Sequence, residues 1–101
     1  MKVFISQPMR DKTDEEILSE RDSALNRVRD MYKDEEIELV DTFFSEEYKG
    51  SAKPPLYFLG KSIQKLGEAD IAYFVGEWKE YRGCRIENYT AKEYGIKVIE
   101  E

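Results

Sequence analysis

Four short apolar runs, separated by stretches of a different period, constrain this chain more than any other feature. KVFIS (2–6), IELVD (37–41), DIAYFV (70–75) and IKVIE (96–100) are rich in β-branched and aromatic residues, the signature of short buried strands. DIAYFV is almost continuously apolar, as expected of a central parallel strand covered on both faces. Between the first two runs, Thr13-Asp14-Glu15-Glu16 fits a capping box. Ile17, Leu18, Arg21, Ala24, Leu25, Val28, Met31 and Tyr32 then recur at helical spacing, which predicts a helix over 14–32. On that stripe the stem of Arg21 is expected to cover apolar surface while its head stays in water.

Pro54-Pro55 predicts a second helix over 55–66, because proline is tolerated in a first turn. Leu56, Leu59, Ile63 and Leu66 form its apolar stripe, and Gly67 follows as terminator. RGCRIENYTAKEYG (82–95) reads as a third helix ending at Gly95. TFFSEEYKGSAK (42–53) has no period and is the longest loop, with aromatics that call for a packing partner.

Strand and helix alternate throughout, so the strands pair in parallel through crossover helices. A length of 101 residues leaves room for one core, so residues 1–101 form a single domain. The expected fold is α/β: a small doubly wound, flavodoxin/Rossmann-like domain with a four-stranded parallel sheet ordered 2-1-3-4 and flanking helices. Ligands of such sheets bind beyond the carboxyl ends of the strands where the winding reverses. That point lies between strands 1 and 3, at the loops SQPMR (6–10) and GEWKEYRGCR (76–85).

Composition narrows the chemistry available there. Acidic residues outnumber basic ones 22 to 16, a net charge of −6, which speaks against a nucleic-acid polymer or an anionic membrane as partner. No apolar run approaches the roughly 18 residues of a membrane span, and no signal-peptide pattern opens the chain, so a cytoplasmic setting is expected. With one cysteine and no histidine, a Cys/His metal site and a Ser-His-Asp triad are excluded. The acidic runs 14–16, 34–36 and 46–47 read as solvated faces, and neither metal nor cofactor is expected.

The N-terminus of the third helix offers unpaired N–H groups and a positive dipole end, which attract an anion such as phosphate. Gly83 allows close backbone approach there, and Arg10, Arg82 and Arg85 add charge. Glu87 falls in the first turn or just after it, where the dipole favours the ionised form. Two readings stay open for it: a surface carboxylate placed by the dipole, or a nucleophile that attacks an anomeric carbon and holds the sugar as an ester. Cys84 is either a small packing residue or a thiol activated by the helix terminus. Trp78 and Tyr81 form an aromatic lid or a stacking surface, and Arg10 a ligand contact or a surface ion pair.

The opening KVFISQPM, the stretch ADIAYFVGEWKEYRGCRIE with a following YGI strand, and the spacing Glu87, Ala91, Gly95 resemble the nucleoside 2-deoxyribosyltransferase-like superfamily over nearly the whole chain. The resemblance implies that Glu87 is the nucleophile that takes a deoxyribose from a nucleoside or nucleotide. It implies sugar or phosphate contacts at Ser6, Gln7, Pro8, Met9 and Arg10, a close approach at Gly83, and a homodimer or larger assembly. The superfamily's leaving-group acid, an aspartate in the helix before strand 3, falls on Ser62, a far weaker acid. The superfamily's enzymes also continue past strand 4, after which this chain ends at Glu101. The function expected is cleavage or exchange of the N-glycosidic bond of a deoxynucleoside or its 5′-monophosphate. Glu87 and Ser62 are its candidate catalytic residues; Ser6, Gln7, Pro8, Met9, Arg10, Gly83, Cys84 and Arg85 are its candidate binding residues. The alternatives are a nucleotide-binding module without activity and a partner-binding domain that uses its aromatic loop.

Overall fold

A computed structural model describes residues 1–40, 42 and 53–101. The elements run β1 (Lys2–Ser6), α1 (Asp14–Met31), β2 (Glu38–Leu39), α2 (Pro54–Leu66), β3 (Ile71–Phe74), a single 3₁₀ turn (Trp78–Glu80), α3 (Arg82–Glu93) and β4 (Lys97–Glu100). The four strands form one parallel sheet in the order β2-β1-β3-β4. Winding therefore reverses between β1 and β3, which pair from Val3↔Ile71 to Ser6↔Phe74.

The strands' near-continuous apolarity follows from coverage on both faces. Side chains alternate across a strand, so Val3, Ile5, Ile71, Tyr73 and Val75 pack with Ala24, Leu25 and Val28 of α1. Phe4, Ala72 and Phe74 point the other way, against Leu66 of α2, Ala91 and Cys84 of α3, and Trp78. One helix covers the first face and two cover the second.

Several local expectations change in detail. The Thr13 capping box is present: the Glu16 N–H donates to Thr13 Oγ1 at 3.1 Å, and the Thr13 N–H donates to Glu16 Oε1 at 3.4 Å. On α1, Ile17, Ala24, Leu25 and Val28 are buried, whereas Leu18 and Met31 are exposed at the edge of the stripe. Arg21 is not a wet-headed residue. It is 6% exposed, and its Nε donates to Gln7 Oε1 at 3.0 Å. β2 pairs over two residues, shorter than the run 37–41, although the Val40 N–H still donates to the Val3 carbonyl at 2.9 Å. On α2 only Leu66 is fully buried, while Leu56 is exposed. α3 ends at Glu93, and Gly95 then adopts a φ of +73°, a left-handed conformation that glycine takes without steric cost. The aromatic loop read over 42–53 lies, apart from Thr42 and Lys53, outside the described residues. Among the described residues, no helix is long and apolar enough to cross a membrane.

Candidate functional site

The β1 strand ends at Ser6, and its parallel pairing with β3 places that hydroxyl at the reversal point. α3 brings Glu87 to it from one side, and α2 brings Ser62 from the other. The Ser6 hydroxyl donates to Glu87 Oε1 at 2.7 Å, and the Ser62 hydroxyl donates to Glu87 Oε2 at 2.5 Å. Both carboxylate oxygens are therefore held, by residues 81 and 25 positions away in the chain. Each oxygen still has a lone-pair direction to spare.

Glu87 is the sixth residue of α3 and lies in its second turn, past the reach of the helix dipole. Burial governs its ionisation instead. The side chain is 8% exposed, and removal from water raises its pKa above the ordinary carboxyl value; the Ser62 and Ser6 hydrogen bonds oppose that rise. Cys84 departs from expectation for the same reason. Burial pushes its thiol up and the nearby Glu87 charge adds to the effect, while Ser6 and the Arg85 charge act the other way.

Glu87 opens on a cavity of about 300 Å³ at the carboxyl ends of β1 and β3. Of the ten residues singled out from the sequence, eight line it: Ser6, Gln7, Pro8 and Met9 from the first loop, Ser62 from α2, and Gly83, Cys84 and Glu87 from α3. Gln7 belongs to the wall, but its amide is committed to α1: Nε2 donates to the Ile17 carbonyl at 3.0 Å, and Oε1 accepts from Arg21. The two remaining arginines do not line the cavity. Arg10 lies at the rim, its guanidinium carbon 5.8 Å from the ring centre of Tyr81, which does line it. Arg85 donates to the Lys79 carbonyl at 2.8 Å and closes the preceding 3₁₀ turn.

Other wall residues read from the sequence as a lid or stacking surface (Tyr81) or as parts of α2 (Pro55, Leu59), and Phe58 is not singled out at all. Tyr81 contributes from the N-cap of α3, and Pro55, Phe58 and Leu59 from the first turns of α2. Their common cue is topological: α2 and α3 cover the same sheet face, so their N-terminal turns meet above it. A second, wider cavity of about 630 Å³ adjoins the first and shares Pro55, Leu59 and Gly83 with it. Lys53 and Arg82 add positive charge to this outer chamber. No side chain caps the first turn of α3, and a Cβ built on Gly83 meets nothing within 4 Å among the described residues. The helix terminus thus faces open space where the chambers join.

None of the protein-family models, curated proteins or solved structures compared with this chain matches it.

Proposed function

We propose that this chain cleaves or exchanges the N-glycosidic bond of a deoxynucleoside or its 5′-monophosphate, with Glu87 as nucleophile. One observation supports this reading above the rest: a buried carboxylate, gripped on both oxygens by hydroxyls from separate elements, on the wall of a ligand-sized cavity at the sheet's reversal point. A surface carboxylate has no reason to be desolvated in this way. Perturbed ionisation inside a cleft makes a group a candidate for function.

In the reaction, a free lone pair of Glu87 attacks the anomeric carbon as the carbon–nitrogen bond breaks, forming a glycosyl ester, while the base leaves with the bonding pair and takes its proton from water. Ser6 and Ser62 fix the carboxylate's direction and stabilise its charged form. Gly83, the uncapped first turn of α3, and Arg82 and Lys53 in the outer chamber suit the 5′-phosphate, with Arg10 at the rim. Water or a second base then accepts the sugar.

The test is prolonged incubation of the chain, at stoichiometric amounts, with the deoxynucleosides and their 5′-monophosphates, followed by chromatography for free base. Base release by wild type and none by a folded Glu87→Gln variant is the expected outcome. Equal release by the variant overturns Glu87 as the nucleophile, and no release by wild type overturns the reading for neutral deoxynucleosides and their monophosphates. A second reading, a binding module without turnover, is favoured by one observation: the Ser62 proton points at Glu87 and not into the cavity. It predicts that a nucleotide raises the melting temperature with no base released.

A further inference from the structure

We propose that the site takes N-glycosides whose base is already positively charged, the N-ribosyl- or N-(2-deoxyribosyl)pyridinium ion being the simplest member of the class. This rests on the reading of Glu87 as nucleophile and adds the identity of the leaving group.

When the bond to a neutral base breaks, the base departs as an anion unless an acid protonates it, and a positioned acid contributes about 10²–10⁴-fold. Glu87 carries the one carboxyl group among the described residues of the cavity wall, and as nucleophile it cannot also donate. The Ser6 and Ser62 hydroxyls both donate to Glu87. The wall's other ionisable side chains are the Cys84 thiol and the Tyr81 phenol, and thiols and phenols are far weaker acids than a carboxylic acid. Burial weakens the Cys84 thiol further as a proton donor.

Glu87 is 8% exposed, and no lysine or arginine is among the described residues of this wall. Among the described wall residues the two hydroxyls are its hydrogen-bond donors and no cation faces it. A positively charged ligand thus supplies the counter-charge that an ionised, desolvated carboxylate favours. Phe58 and Tyr81 supply aromatic surface, which attracts a cation, and Leu59 and Pro55 supply apolar surface for a flat ring. The chain's net charge of −6 attracts the same ligand over longer range.

The step balances without an acid. A Glu87 oxygen forms a bond to the anomeric carbon, and the carbon–nitrogen bond breaks. Its electron pair returns to the ring nitrogen and cancels the positive charge, so a neutral base leaves. Water then cleaves the glycosyl ester, giving the free sugar, the regenerated carboxylate and one proton released to solvent. Nothing is oxidised or reduced.

The experiment compares kcat/KM of the wild-type chain for N-(2-deoxyribosyl)pyridinium with its values for 2′-deoxyadenosine and 2′-deoxycytidine. The cation is expected to lead by at least about 100-fold, the lower end of what a missing acid costs, with activity lost in Glu87→Gln. Ser62→Asp puts a second carboxyl group beside Glu87, and the repulsion between them keeps one protonated. It is expected to raise turnover of the neutral nucleosides at least tenfold and so narrow the ratio. A far-UV spectrum checks that this variant is folded, and the wild-type ratio decides the matter if it is not. Neutral and cationic substrates turned over within tenfold of each other, both dependent on Glu87, would overturn the charge requirement and leave the nucleophile in place. No Glu87-dependent release from any of the three overturns both.

Discussion

Glu87 shows how burial and placement compete at a single side chain. A helix start favours an ionised glutamate, but five residues further into α3 the desolvation cost takes over and two hydroxyls are needed to offset it. This has a measurable consequence for stability. The folded-state pKa lies above the unfolded one, so the carboxyl group contributes stability below its unfolded value, about 4.3 for a glutamate. That contribution is lost as pH rises through the folded value. At pH 7, above the unfolded value, the folded protein therefore bears a cost at Glu87, met either as a buried charge or as a retained proton. Glu87→Gln is expected to stabilise it there by about 1 kcal/mol, the scale of gains at strained functional positions, or roughly 4–8 °C in Tm for a domain of this size. The gain should vanish near pH 4, where the glutamate is itself protonated. Thermal denaturation at the two pH values checks this, and a gain independent of pH would refute it.

At the scale of elements, three elements meet at the site: the close of β1, the body of α2 and the opening turns of α3. Gly83 sits where the two chambers join, and space around its Cβ position is open. Gly83→Ala is expected to stabilise α3 by about 0.5 kcal/mol through helix propensity. The same methyl group displaces ligand, so kcat/KM for any N-glycoside turned over should fall on the order of 10–100-fold. A higher Tm with unchanged kinetics would place the ligand elsewhere. Much of this arrangement was legible in the residues. The strand positions, the order 2-1-3-4 and the two loops at the reversal point follow from periodicity and from the rules of parallel sheets. What the spacing did not carry was side-chain commitment. Gln7 looks like a ligand contact, but its amide bridges to Ile17 and Arg21. Arg21 looks like a surface cation, yet it is buried. Arg85 looks like an anion contact, but it closes a turn. Each of these depends on a partner fixed in three dimensions, which a linear pattern does not encode.

At the scale of the molecule, two apolar layers flank one sheet, and they are not equivalent. The layer holding Phe4, Phe74, Leu66 and Trp78 also carries Cys84 and supports both helices of the site. Phe74 is fully buried, with its ring centre 5.3 Å from that of Trp78. Phe74→Ala is expected to cost about 3–5 kcal/mol, a large share of the roughly 5–15 kcal/mol that holds a domain together. Urea unfolding followed by Trp78 fluorescence measures it. Leu18→Ala, on the exposed edge of α1, should stay within about 0.5 kcal/mol of wild type.

The hydrogen bond from Ser6 to Glu87 joins two residues 81 positions apart. A ribosome delivers the second of them only after the 81-position span from the first has been made. Until α3 has emerged and docked, the first-loop hydroxyl has no carboxylate to hold. A proteolytic fragment ending before Glu87 lacks the carboxylate altogether. The held carboxylate is thus a property of the folded domain, present only once both ends of this span have come together.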